Sequence, residues 1–184
     1  MIILMGVAGS GKSMQGRLFA DEHGFAWVST GELLRVLVTG KRRHEMLEGK
    51  LLSDDEVIHI LDKVFEMIDT TQEFVLDGFP RTVAQAEWLL EQAAHGRFDI
   101  DVVFNLVASQ AVLHERLHAR GRIDDTDEAI GRRFKEYEQV TRPILALLKQ
   151  RGIGVYDIDA SRPPQEVHDA LLDHVRDLGM AESV

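Results

Sequence analysis

Gly6-Val7-Ala8-Gly9-Ser10-Gly11-Lys12-Ser13 carries every fixed position of the phosphate-binding loop pattern. Glycines at those positions let consecutive backbone N–H groups turn inward and cradle phosphate oxygens. A helix opening at the loop's end adds its positive end. Lys12 supplies a mobile positive charge for terminal phosphates, and the Ser13 hydroxyl can face Mg²⁺ or a phosphate oxygen. The chemistry implied is binding of a nucleoside triphosphate. A glycine-rich turn that binds nothing would need all of these positions to coincide by chance.

Such a loop does not by itself separate a GTPase, an ATPase and a small-molecule kinase. Three further segments bear on that choice: Ser29-Thr30-Gly31-Glu32-Leu33-Leu34-Arg35, then Asp77-Gly78-Phe79-Pro80-Arg81 with Gln85 one turn on, then Arg120-Gly121-Arg122-Ile123-Asp124-Asp125 with Arg132 and Arg133 beyond. Each brings arginine to a site that needs cations. Phosphoryl transfer spreads charge over the equatorial oxygens and needs little covalent help, so positioning and electrostatics dominate. Guanidiniums suit this better than ammoniums, because a planar fork binds phosphate bidentately.

These residues need a scaffold, and the hydrophobic pattern predicts one. Ile2–Met5, Ala26–Val28, Phe74–Leu76, Val102–Val107 and Val155–Ile158 read as short buried strands. Helical stretches alternate with them. Ser53 with Glu56, and Thr82 with Gln85, fit capping boxes, while Gly24, Gly96 and Gly152 fall where helices should stop. The alternation implies an α/β fold: a parallel sheet of about five strands with helices on both faces. Ligands bind beyond the carboxyl ends of such strands, where all four segments fall. Two stretches depart from the alternation. Residues 30–69 read as helical with no strand between, and residues 120–126 are polar and sit between helices, so both read as excursions over the binding edge.

The 184 residues argue for one domain, and 45% hydrophobic content suffices for a core. With no cysteine, disulfides, thiolate zinc sites, iron–sulfur clusters and cysteine nucleophiles are excluded. A net charge of −10 disfavours general binding to nucleic acid or anionic membranes. No segment approaches the ~20 apolar residues of a membrane span, and Met1 to Ala8 lacks a basic n-region, so a cytoplasmic protein is expected.

With its motifs in family order from Met1 to about His174, the chain resembles the adenylate kinases among the nucleoside monophosphate kinases. The resemblance implies transfer of the γ-phosphoryl group of MgATP to AMP, giving two ADP, by a single kinase domain over 1–184 that works as a monomer. It assigns residues 30–69 to an AMP-binding insert and 120–131 to a short lid. It places Gly9, Ser10, Gly11, Lys12, Ser13 and Met14 around the ATP phosphates, with Arg116 stacking on adenine and Arg120 and Arg162 also on the ATP side. It gives AMP to Thr30, Arg35, Lys50, Leu51, Leu52, Gly78, Phe79, Pro80, Arg81 and Gln85, with Arg35 and Arg81 on its phosphate and Gln85 at the adenine edge. Arg122 and Arg133 match the pair bridging the two nucleotides. Lys12, Arg81, Arg122 and Arg133 are therefore the expected catalytic set. Asp77 matches the acid that holds Mg²⁺ through water, Ser13 is a possible further metal contact, and Asp124 and Asp125 belong to the lid hinge.

The chain departs from the family pattern in three places. Ser13-Met14 stand where the family has Gly-Thr, Ala8 replaces the loop proline, and only Gly121 separates Arg120 from Arg122, which leaves a very short lid. The long, often zinc-bearing lid is absent, so no structural zinc is expected. His114-Glu115-Arg116-Leu117-His118 matches a zinc-protease helix pattern, but no third ligand is evident in sequence, so ordinary helix-surface residues are expected. Lys41-Arg42-Arg43 reads as a solvated loop, and Trp27 and Trp88 as packing residues. A kinase for another monophosphate or small metabolite, or a nucleotide-binding regulatory module without significant turnover, stays open beside the main reading.

Overall fold

The computed structural model describes residues 1–48, 50 and 52–179. The predicted strands form as β1 (Ile2–Gly6), β2 (Ala26–Ser29), β3 (Phe74–Asp77), β4 (Val102–Val107) and β5 (Gly154–Asp159). All pair in parallel, in the order β2-β3-β1-β4-β5. Ile3 stands opposite Leu76 on one side and Val103 on the other, so β1 is central and needs apolar residues on both faces.

The side-chain period of two splits that strand between two cores. Ile3 and Met5 join Val28, Leu76, Val103, Ile144 and Leu148 on one face, under helices α4 (Asp54–Met67), α5 (Val83–Ala94) and α8 (Arg142–Gln150). Ile2 and Leu4 join Phe19, Val75, Phe104, Val167 and Leu171 on the other, under α1 (Lys12–His23) and α9 (Pro164–Asp177). Trp88 stacks on Phe65 and meets Phe79 edge-on, and Trp27 packs on the second core, so both tryptophans pack as expected.

Between β2 and β3 the elements among the described residues are all helices: α2 (Thr30–Leu37), α3 (Gly40–Leu47) and α4. Lys41-Arg42-Arg43 is thus in the first turn of α3 rather than in a loop, with Arg42 paired to Glu45 and Glu56. The capping box of Ser53 and Glu56 opens α4, and Gly24 ends α1 in the left-handed region. Thr82 is a half-box: its hydroxyl accepts from the Gln85 N–H, but the Gln85 side chain turns elsewhere, as described below.

After β4, α6 (Gln110–Arg120) and α7 (Asp127–Glu136) flank a short non-helical segment, 121–126, within the stretch expected to form a lid. A π-helical turn, Tyr137–Thr141, then joins α7 to α8. Such turns often mark functional sites.

Candidate active site

The loop after β1 is held so tightly that two of its glycines are obligatory. Gly6 has φ 138°, and a Cβ there would lie 2.5 Å from the Leu106 carbonyl oxygen. Gly9 has φ 86°, and its Cβ would meet the Leu113 oxygen of α6 at 2.9 Å. The loop is therefore pressed between the end of β4 and α6, and its conformation does not await a ligand.

Lys12 Nζ donates to the Val7 carbonyl at 2.9 Å, folding the side chain back over the loop. Burial, helped by Arg81 and Arg120 and opposed by Asp77, pulls its pKa down to about 8. Beside it, buried Asp77 at the end of β3 accepts from Ser13 Oγ at 2.6 Å and Ser29 Oγ at 2.8 Å. Oxygen atoms from the ends of β2 and β3 and from the first turn of α1 thus converge next to the lysine.

Beyond β3, the Phe79–Pro80 peptide is cis. Arg81 Nε donates to the Gly78 carbonyl at 2.8 Å, and Thr141 of the π turn donates to the Arg81 carbonyl at 3.0 Å. Burial lowers the pKa of the Arg81 guanidinium, with Asp77 opposing. Gln85, also buried, accepts from the Arg81 N–H at 2.8 Å and donates to Asp54 Oδ1 at 2.8 Å, so both ends of its amide are engaged. The Thr30 hydroxyl is buried with no hydrogen-bond partner among the described residues. A buried hydroxyl of that kind costs free energy unless something bonds to it.

The remaining arginines, Arg116 apart, rest on carboxylates. Arg120 makes a two-pronged bond to Asp125, at 2.9 and 2.6 Å, and Arg133 bonds both Asp125, at 3.1 Å, and Asp124. Arg122 reaches Glu32 of α2 at 3.0 Å, and Arg35 lies 3.6 Å from Asp124, so two ion pairs tie the 121–126 segment to α2. Burial would raise the Asp124 carboxyl, but the Arg133 hydrogen bond and charge, with Arg35, outweigh it and hold it below its ordinary range. Arg116 donates to the carbonyls of Ala160, Ser161 and Arg162 through the edge of its guanidinium, a geometry compatible with stacking on its face. Arg162 is half exposed and pairs with Asp159.

Two adjoining clefts collect these groups. Gly9, Ser10, Gly11, Lys12, Ser13, Met14, Arg116, Arg120 and Arg162 all line one of them. Thr30, Arg35, Lys50, Leu52, Gly78, Phe79, Pro80, Arg81, Gln85, Arg122 and Arg133 line the other, with Asp77. Leu51 lies outside the described residues. Lys12, Ser13, Arg120 and Arg122 line both clefts, so the basic groups form their common wall. Two anions can therefore lie end to end across that wall, the arrangement a transfer between two phosphorylated partners requires.

The adenylate kinase family model matches residues 4–153. The chain belongs to the adenylate kinase family. An adenylate kinase of Nitrobacter hamburgensis is 34% identical over 182 residues, covering 90% of this chain and 87% of the relative. One from Mycobacterium ulcerans is 38% identical, over 78% of this chain and 83% of its own. An adenylate kinase 3 of Oryza sativa subsp. japonica is 31% identical, over 90% and 84%.

Several groups in and around these clefts were not singled out from sequence. Ser29, which anchors Asp77, and Glu32, which holds Arg122, stand inside a quoted motif but gave no sign of these partners. Asp54 reads only as an acid in the first turn of α4, yet it fixes Gln85. Tyr137 and Thr141 line the cleft of Thr30 and Gln85 through a π turn that leaves no mark in residue spacing. Among the described residues no helix is long and apolar enough to cross a membrane.

Proposed function

We propose that the chain transfers the γ-phosphoryl group of MgATP to AMP across the wall shared by its two clefts, giving two ADP. The observation that carries this reading is that wall: Lys12, Ser13, Arg120 and Arg122 face both clefts at once. ATP lies along the loop in the cleft with Arg116 and Arg162, and AMP lies in the cleft under the 30–69 insert. Arg35 and Arg81 hold the AMP phosphate. The unpartnered Thr30 hydroxyl and the Gln85 amide face its nucleoside. Lys12, Arg122 and Arg133 meet the charge that develops on the transferring group, and act as fixed donors rather than as proton carriers.

The oxygen donors of Asp77 and Ser13, hydrogen-bonded to one another at 2.6 Å, fit a Mg²⁺ ion held by Asp77 through water and by the Ser13 hydroxyl. When bound with ATP, the ion would offset phosphate charge. Both clefts are built by one chain, which supports a monomer. The proposed location is the cytoplasm, with no nucleic-acid or membrane partner.

The lid over 120–131 has few residues with which to exclude water from the γ-phosphate. A coupled assay with ATP and a panel of monophosphates tests the reading. AMP should be the best acceptor, and free phosphate without AMP should be measurable but far slower than transfer. Equal or better turnover with UMP would defeat the assignment of AMP, and absence of ADP formation with every acceptor would defeat the kinase reading itself.

A further inference from the structure

The two histidines set aside in the sequence acquire a third partner in the fold. His114 and His118 stand one turn apart on α6, and Asp127 opens α7 on the far side of the lid segment. His114 Nε2 and His118 Nε2 lie 3.1 and 2.8 Å from the same Asp127 Oδ1, and 3.4 Å from each other. No sequence spacing shows this, because the chain turns back through the lid before Asp127 arrives.

Those separations match a metal site. Zinc takes imidazole nitrogen and carboxylate oxygen at about 2.0–2.2 Å, which puts neighbouring ligand atoms of a tetrahedron about 3.3 Å apart. The three atoms here are spaced close to that, and a point about 2 Å from all of them lies just outside their plane. Each side chain is substantially exposed, the histidines at 47%, so an ion has an entry path and water can complete its shell. Two imidazoles and one carboxylate suit Zn²⁺ rather than Mg²⁺ or Ca²⁺, which prefer all-oxygen shells.

We propose that His114, His118 and Asp127 form a Zn²⁺ site that fastens the end of α6 to the start of α7. It differs from a thiolate lid site in ligands and in place, since it bridges the two helices at the base of the lid. His118 is two residues before Arg120 and Asp127 two residues after Asp125. An ion there fixes both ends of the segment that carries Arg122, without touching the nucleotide clefts. The competing account is a plain histidine–aspartate ion pair, which has no use for a metal.

The test uses the full chain, stripped with a chelator and free of nucleotide and Mg²⁺, titrated with Zn²⁺ against a competing indicator dye. Wild-type protein should take up one equivalent with a dissociation constant of about 1 μM or tighter, and its Tm should rise with Zn²⁺. His114→Ala, His118→Ala and Asp127→Asn should each weaken uptake by about tenfold or more. The double variant H114A/H118A should abolish it, while His44→Ala, an exposed histidine of α3 outside the cluster, should not. Co²⁺ substitution should give visible absorption bands that vanish in the double variant. Thermal unfolding without metal checks that the variants fold, and the three single variants report independently should one of them not. No saturable uptake by the wild type, or uptake unchanged in the double variant, overturns the proposal. These readouts do not depend on phosphoryl transfer.

Discussion

The two sides of the site hold their charged groups differently. On the sheet side, Asp77 is 2% exposed, and two serine hydroxyls fix it beside a loop two of whose glycines admit no other residue. On the lid side, Arg120 and Arg122 are about a third exposed, and each rests on a carboxylate. The sheet side is preorganised, so its donors reorganise little when a phosphate arrives. On the proposed reading the lid side exchanges one anion for another, with phosphate displacing or sharing Asp125 and Glu32. Such exchange would lower the net gain on binding and ease release, as the proposed lid role requires.

The largest effect should come from the sheet side. Lys12→Ala removes a preorganised cation, and kcat should fall by about 10²–10³-fold with Tm little changed. Near-normal turnover in a folded variant would show that the loop does not position the phosphates. Asp125→Asn probes the lid side, where it weakens the hold on Arg120 and Arg133 together. We expect a loss of about 1–3 kcal/mol in stability by denaturant titration, with kcat reduced less than in Lys12→Ala. An unchanged Tm would mean that Asp125 does not anchor the arginines.

Gln85→Leu asks whether the insert side reads its base. It should cut the preference for AMP over UMP and CMP by an amount worth about 1–3 kcal/mol, measured as the ratio of kcat/KM values. An unaltered ratio would assign Gln85 to bracing Asp54 and Arg81 alone. The smallest effect is a proton count. With its pKa near 8, Lys12 is about half protonated at pH 8 in the free protein, and a neighbouring polyphosphate restores the full charge. ATP binding at pH 8 should therefore take up about half a proton, seen as buffer-dependent binding enthalpy and lost in Lys12→Ala. The same depressed pKa makes the free protein's stability rise as pH climbs from about 8 toward 10.5, since the unfolded chain then binds more protons.

Legibility followed the range of the interactions. The strands were readable because each is a short apolar run with one environment on each face, and the glycine stops because a left-handed residue is a local requirement. The Ser53 box formed because both partners lie within one turn. Thr82 and Gln85 have the same spacing, yet Asp54, 31 residues from Gln85, competes for the glutamine. A local rule gave way to a distant carboxylate. Lys41-Arg42-Arg43 turned out helical, with Arg42 meeting Glu45 one turn on and Glu56 from α4, the second a partner its own stretch of sequence does not show.

By itself the sequence determined the phosphate loop, the five parallel strands, the helical insert and the arginine-rich segments, because these depend on residue type and spacing along the chain. Only the tertiary structure decided which carboxylate each arginine holds, which hydroxyls fix Asp77, and that Asp127 stands beside His114 and His118. Those pairings join residues from different strand ends and helix ends. They follow from how the sheet is ordered and how α6 and α7 turn about six residues of lid, and neither is written in any stretch of chain short enough to read as a motif.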